Sequence, residues 1–215
     1  MTKKSKDYDV RACVVRKLLK EGVPRGDIRH EIANVGDTGH ARADIVAIIH
    51  NRLCGFELKS ASDVTTKAKS QIETYRYYFD FVFLVGDAAH YDALKSVTRR
   101  AIIYHHQAQC LDFGNAPNTY EYSRFSQYAD GWGSEVTGVS YMGRLLTSGE
   151  GEAACEKLKI EKPVNHTWFL KELKEHASLK ELRSCVIEAL RNRPLSKREI
   201  TFWTQFDAEN QKVAA

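Results

Sequence analysis

Three charged residues, Asp44, Glu57 and Lys59, have the types and the spacing of a site that cuts phosphodiesters. Two carboxylates that lie close together repel each other, so a proton or a cation must offset their charge. Hard oxygen ligands suit Mg²⁺, which keeps several waters and binds substrate phosphate. The bound ion acidifies a water and neutralises charge on the scissile phosphate, and a lysine can stand near either group. The trio therefore predicts a divalent-metal site for phosphodiester hydrolysis.

A β-hairpin has to bring these residues together. Two β-prone segments, 42–49 and 53–59, flank residues 50–51, which suit a two-residue turn. With this turn Asp44 lies opposite Glu57, whereas a turn shifted by one residue places it opposite the lysine. Both registers put the three side chains on one face, because side chains alternate along a strand. The alternative interpretation is a solvated salt-bridge ladder, which the apolar flanking residues and the amphipathic helix that follows disfavour.

The first half of the chain predicts an α/β fold. Helical spacing is seen over residues 10–18, 63–79 and 89–97. Strand-like runs cover residues 28–35, 42–49, 53–59, 80–86 and 101–104. In the second helix Val64 begins the apolar stripe, and Asp63 is the expected N-cap. The order helix, strand, strand, strand, helix, strand, helix, strand indicates a mixed central sheet flanked by helices.

The last third of the chain predicts short helices. They cover about residues 168–177, 179–192 and 197–210. We therefore divide the chain into an α/β core, residues 1–150, and a helical C-terminal appendage, residues 151–215. The basic residues of this appendage around its proline are Arg191, Arg193, Lys197 and Arg198. They fit a helix-turn-helix DNA reader, and they fit a helical cap or a dimerisation element at least as well.

Composition narrows the class of protein without defining it. The chain has 215 residues and a formal net charge of +4, a mild excess that is compatible with a nucleic-acid partner. Its five cysteines lie far apart and form no CxxC pair, which argues against a disulfide framework or a structural zinc site. There is no apolar run of membrane-spanning length and no secretory signal, so we expect a cytoplasmic protein without a membrane partner.

The order and identity of the charged residues resemble the PD-(D/E)xK nuclease superfamily. Asp44 is followed, after a strand-turn-strand, by the triplet Glu57–Leu58–Lys59, and Ala43 stands where the superfamily's name has proline. The helix, three strands, helix and strand also look like the core of that superfamily. The segments DIVAI and GFELKS resemble a RecB-like stand-alone branch found in bacteria and phages. The resemblance covers about residues 8–104 and implies a restriction-endonuclease-like core.

The resemblance also implies a role for each site residue. Asp44, Glu57 and the carbonyl of Leu58 would bind the metal, and Lys59 would assist the nucleophilic water. Glu31 matches the position at which such nucleases often place an additional acid before the hairpin. The alternative interpretation of Glu31 is an exposed strand residue, or a partner for the adjacent arginine or histidine.

Gln71 lies between Ala68 and Tyr75 on the inward stripe of the second predicted helix. Core packing alone would not favour an amide at this position, because a buried amide needs hydrogen-bond partners. The alternative interpretation is a glutamine at the edge of the stripe that reaches water. The spacing also matches the QxxxY motif of RecB-like nucleases, so we count Gln71 with the catalytic residues. Lys67, Tyr75 and Arg42 are the expected nucleic-acid contacts, although a lysine such as Lys67 is more often a solvated helix residue.

These expectations together define a Mg²⁺-dependent deoxyribonuclease, in which Mn²⁺ can substitute and a metal-activated water hydrolyses the phosphodiester. DNA is the expected partner, and a homodimer is a further expectation because cutting two strands commonly takes two sites. No Gly-rich phosphate loop occurs, so no nucleotide cofactor is expected. The alternative function is that of a non-catalytic DNA-binding or interaction protein on the same scaffold, which should have lost one of the three core residues.

Overall fold

The structure is a computed structural model that describes residues 5–35, 41–98, 101–112, 138–161 and 168–214. Its strands are β1 (Ile28–Val35), β2 (Ala41–Ile49), β3 (Arg52–Lys59), β4 (Phe81–Asp87), β5 (Ile102–His105) and β6 (Cys110–Asp112). Its helices are α1 (Asp7–Lys20), α2 (Ala68–Tyr75), α3 (Tyr91–Val97), α4 (Val139–Met142), α5 (Ser148–Lys157), α6 (Trp168–His176), α7 (Leu179–Asn192) and α8 (Lys197–Ala214). Among these helices, none combines the length and the apolar character needed to cross a membrane.

The six strands form one sheet in the order β1-β2-β3-β4-β5-β6. Strands β1, β2 and β3 pair antiparallel, β4 and β5 join parallel to β3, and β6 returns antiparallel. Parallel neighbours need crossover connections, and α2 and α3 supply them. The chain therefore has the predicted mixed sheet flanked by helices.

The β2–β3 hairpin has the first of the two registers considered above. Ile49 pairs with Arg52, and the ladder continues to the pair of Ile45 and Phe56. The two turn residues have φ angles of 49° and 58°, and two positive φ angles are what a type I′ turn requires. Beyond the last pair, β2 continues along β1 and β3 continues along β4. The two strands therefore diverge at the point where the predicted site lies.

Helices cover both faces of the sheet. One face packs against α1 and α8, and its β2 residues include Ile45 and Ala47. The opposite face packs against α2 and α4–α7, and its β2 residues include Val46 and Ile48. Regular alternation along β2 would place Ala43 on the same face as Ile45, but it belongs to the opposite core. Strand β1 is irregular beside it, with a register shift after the residue that pairs with Ala43.

The helices of the predicted appendage are part of both hydrophobic cores. Leu182, Val186 and Leu190 of α7 pack in the core on the α2 side of the sheet. Phe202 and Phe206 of α8 pack in the core on the α1 side. The proposed boundary at residue 150 therefore does not separate two cores.

Arg29 of β1 fixes the junction between α7 and α8. Its buried guanidinium lies 2.9 Å from a carboxylate oxygen of Glu199 and donates to the carbonyl oxygens of Leu190, at 2.6 Å, and Arg193, at 2.7 Å. Glu199 also accepts the backbone N–H of His30 at 3.1 Å. This network satisfies carbonyl groups at the end of α7 that the helix itself leaves without partners.

Ion pairs within the molecule engage most of the basic residues that were considered for DNA reading. The pairs are Arg191 with Asp27, Arg193 with Glu150 and Arg198 with Glu31. These pairs use only some of the five donors of each guanidinium, and the Arg191 and Arg198 side chains are 45% and 66% exposed. The helical cap and the helix-turn-helix reader therefore both stay predictions.

Helix α2 begins later than predicted, and Asp63 does not cap it. The Asp63 carboxylate accepts hydrogen bonds from the N–H and the hydroxyl of Ser60, at 2.6 and 2.8 Å, and so closes a turn after β3. The helix begins at Ala68. Val64, expected on the buried stripe, is 71% exposed. The prediction was wrong here because aspartate bonds to nearby backbone in turns as readily as at helix N-termini.

Candidate active site

Strand β3 directs Glu57 and Lys59 to the face that α2 covers. The intervening residues, Phe56 and Leu58, face the core beneath α1, because side chains alternate along the strand. Lys59 Nζ lies 2.5 Å from Glu57 Oε1, and both side chains are buried. The two residues form a buried ion pair where β3 leaves β2.

Helix α2 supplies two side chains that contact this pair. Gln71 Oε1 accepts a hydrogen bond from Lys59 Nζ at 3.0 Å. The Tyr75 hydroxyl lies 2.7 Å from Glu57 Oε2 and 2.5 Å from the carbonyl oxygen of Arg42, and it can donate its one proton to either. Residues four apart share a helix face, which is why the QxxxY spacing brings both side chains to the site.

The three expected nucleic-acid contacts lie in different environments. Arg42 is exposed, and Lys67 is exposed at the start of α2. Tyr75 is fully buried, so its ring offers no surface to a base. Burial raises the pKa of its hydroxyl well above the ordinary value, and the charge of Glu57 raises it further. We therefore assign Tyr75 to the support of Glu57 and not to contact with nucleic acid.

Asp44 lies on β2 immediately beyond the last β2–β3 pair. Its Oδ2 accepts the N–H of Leu58 at 2.8 Å, so its side chain bridges the gap that opens between the strands. Burial raises the pKa of Asp44 to about 8, and the negative charge of Glu57 contributes to the rise. The negative charge of Glu57 therefore opposes the ionisation of Asp44.

Two arginines hold Glu31, the expected additional acid. Its Oε1 accepts from Arg11 and its Oε2 accepts from Arg198, each at 2.9 Å. Its backbone has a φ of 55°, which is uncommon for a residue other than glycine. The adjacent arginine, which sequence reasoning offered as an alternative partner, binds Glu199 instead.

Arg11 of α1 is the site residue that sequence reasoning missed. Its buried guanidinium donates to the carbonyl oxygen of Asp44 at 2.5 Å and to Glu31 at 2.9 Å. Asp7, one helical turn earlier, accepts from it at 3.1 Å. A signal was present in the sequence, because Arg11 shares the inward stripe of α1 with apolar residues at i+4 and i+7. A charged group on such a stripe needs a partner.

The donor atoms fit a hard divalent cation. The carboxylates of Asp44 and Glu57 and the adjacent backbone carbonyl of Leu58 are oxygen ligands of the kind that Mg²⁺ takes. The raised pKa of Asp44 means that the surrounding cations do not offset its burial and the charge of Glu57. Arginines bind both oxygens of Glu31, the further expected ligand, and its place in the donor set stays a prediction.

A different group of ligand-type side chains lies on α6. Within the described ranges, three such side chains have ligand atoms within 4.8 Å of one another at Glu172, Glu175 and His176. Glu175 and His176 are exposed. The lysine that pairs with this group, Lys171, lies 3.9 Å from Glu175 and is exposed, unlike the buried Lys59. Exposed acidic groups are common without a metal.

The fold and the site define a mixed α/β protein with a half-buried acidic site at the end of a divergent hairpin. The chain belongs to the family described as bacteriophage P4 protein cII, whose model matches residues 1–215. No curated protein and no solved structure matches the chain. The family match does not bear on nuclease activity, so the resemblance to PD-(D/E)xK nucleases stays a prediction.

Proposed function

We propose that the chain is a metal-dependent deoxyribonuclease with a restriction-endonuclease-like core. The observation that supports this most is that Asp44 bonds to the N–H of Leu58, between the two residues of the buried Glu57–Lys59 pair, where β2 and β3 diverge. An ion pair that served only the fold would not need a second, half-buried carboxylate beside it, with its pKa raised. Carboxylates perturbed by burial and by a specific charged neighbour are typical of functional sites.

Each residue has a task in this reaction. Asp44 and Glu57, together with the carbonyl of Leu58, would hold Mg²⁺. The ion, when bound, supplies an acidified water and offsets negative charge on the phosphate. Lys59 orients the attacking water by hydrogen bonding and stabilises the charge that develops on the phosphate. Gln71 keeps the ammonium in place by accepting a hydrogen bond from it.

Arg42 and Lys67 supply phosphate contacts at the rim of the site. Both are exposed, and they precede site residues on β2 and α2. Contacts to phosphate position a nucleic acid without reading its sequence. Replacing either residue by glutamine should weaken DNA binding equally for all sequences and lower the salt dependence of binding by a slope of about 1.

Cleavage assays test the proposal. Supercoiled plasmid and labelled linear, nicked and single-stranded DNA are incubated with Mg²⁺, with Mn²⁺ or with a chelator, and we expect cleavage only with the metals. Asp44→Asn should lower the rate by about 100-fold or more, since the metal contributes several kcal/mol and about 1.4 kcal/mol corresponds to a factor of ten. Glu188→Gln, which changes an exposed acid on α7, should cut at the wild-type rate.

Two results would count against this function. DNA binding without cleavage by the wild type would favour the non-catalytic alternative. Equal cleavage by a clean preparation of Asp44→Asn would place any activity elsewhere. Sedimentation of the free and the DNA-bound protein tests the expected homodimer in the same preparations.

A further inference from the structure

We propose that Arg11 is a positioning residue of the site, which holds the metal-binding end of β2 in place. This inference rests on the proposed function. Its basis is that one buried guanidinium contacts the backbone of Asp44, the carboxylate of Asp44 and the carboxylate of Glu31.

The first contact fixes the backbone at the end of β2. The β2–β3 ladder ends at Ile45 and Phe56. Immediately beyond it, the carbonyl oxygen of Asp44 accepts a hydrogen bond from Arg11 Nη1 at 2.5 Å. Leaving a buried carbonyl without a partner costs about 1–3 kcal/mol. The guanidinium therefore holds the Asp44 carbonyl at the point where β2 leaves β3, in addition to the pairing of β2 with β1.

The second set of contacts fixes the carboxylates. Arg11 Nη2 lies 2.9 Å from Glu31 Oε1 and 3.5 Å from Asp44 Oδ1. The same nitrogen thereby links the two acids and holds them beside each other. The other carboxylate oxygen of Asp44 is bonded by the N–H of Leu58, so two groups define its orientation. Outer contacts of this kind orient metal ligands, and their loss typically weakens metal binding about 10- to 100-fold.

Arg11 acts through Asp44 because it has no free surface for substrate. Its side chain is 6% exposed. Its donors are engaged by Asp7, Glu31 and Asp44, and a guanidinium has five N–H donors in all. A DNA phosphate could reach it only by displacing these partners.

Calorimetric titration of the metal-free protein with Mn²⁺ tests this role without requiring cleavage. Arg11→Gln should bind Mn²⁺ about 10- to 100-fold more weakly than the wild type. On a DNA oligonucleotide its kcat should fall while its KM for DNA stays unchanged. Arg11→Lys should lose less, because it keeps the charge although it lacks the planar fork that spans these acceptors. Arg183→Gln breaks a different arginine–carboxylate pair, with Asp80, and should lower stability without changing Mn²⁺ affinity.

The possible outcomes separate this inference from the proposed function. Unchanged Mn²⁺ affinity in folded Arg11→Gln, or in Arg11→Lys if the first variant does not fold, would overturn the role of Arg11 alone. A raised KM for DNA with unchanged Mn²⁺ affinity would do the same and would assign Arg11 to the substrate. Absence of Mn²⁺ binding by the wild type would overturn the metal site, and the proposed function with it.

Discussion

Asp44 occupies a site in which burial and a neighbouring negative charge oppose its ionisation. Burial and the charge of Glu57 raise the pKa of Asp44, so ionised Asp44 destabilises the folded chain when no cation is bound. A side chain that costs stability in this way is typical of functional sites. Stability and function can be measured separately, because unfolding can be followed in the metal-free protein whereas cleavage needs the bound metal.

We predict that Asp44→Asn stabilises the metal-free protein at alkaline pH. The pKa of Asp44 is raised from 3.8 to about 8 in the folded state. Between these values the folded state keeps a proton that the unfolded state has released, so wild-type stability falls as the pH rises through this window. Asparagine has no such proton. In denaturant unfolding, the advantage of the variant should therefore be larger at about pH 9 than at about pH 4; an equal difference at both would contradict the prediction.

Sequence reasoning located the residues of β3 and α2 better than those of α1. Glu57, Lys59 and Gln71 meet because strand alternation and helix periodicity are local properties that the sequence shows. Arg11 meets Asp44 only because α1 packs beside the end of β2. Such a contact depends on tertiary packing, and a single sequence carries only the indirect signal of a charge on an apolar stripe.

Helix α8 is joined to strand β1 by the buried ion pair of Arg29 and Glu199. Each residue is 2% exposed, and Glu199 also accepts backbone N–H groups of β1 and of the segment before α8. A pair this deep is costly to break, since removing one partner leaves the other charge buried without compensation.

We predict that Glu199→Gln lowers the free energy of unfolding by about 3–5 kcal/mol. Asp207 lies on the same helix as Glu199 and forms an exposed pair with Arg25. Asp207→Asn breaks that pair and serves as the matched control, with an expected loss of less than about 1 kcal/mol. Denaturant unfolding at neutral pH measures both. Similar losses in the two variants would show that burial does not determine how much the Arg29–Glu199 pair contributes to the free energy of unfolding.

The sequence predicted the bounds of some helices and strands closely and missed others. β1–β5 and α6–α8 lie close to their predicted ranges, because their hydrophobic periods are long enough to read. The start of α2 was missed because Asp63 bonds to Ser60, a choice between two local hydrogen bonds that composition does not decide. β6, α4 and α5 were not predicted, since short elements with few periodic residues depend on their packing partners.

Helix α8 supplies side chains to the hydrophobic core on the α1 side of the sheet, so its removal would take away part of that core. Phe202, Trp203 and Phe206 are each under a tenth exposed and pack with α1 and one face of the sheet. Deleting one such aromatic side chain typically costs about 3–5 kcal/mol. A typical domain has only about 5–15 kcal/mol of stability.

We predict that a chain ending at Ser196 does not fold cooperatively. It should lose its near-ultraviolet circular dichroism and its sigmoidal unfolding transition. A chain ending at Asn210, which keeps the three aromatic residues, is the control and should retain both. Cooperative unfolding of the shorter chain would contradict this assignment of α8 and would restore the view of the C-terminal helices as a separate appendage.

The most direct test of the central claim is a crystal structure of the protein grown or soaked with Mn²⁺. We predict an anomalous difference peak between the carboxylates of Asp44 and Glu57, with the carbonyl of Leu58 as a third protein ligand and metal–oxygen distances of about 2.1 Å. No peak at that position in well-occupied crystals, or a peak only at the acidic group of α6, would contradict the claim that this hairpin holds a catalytic metal.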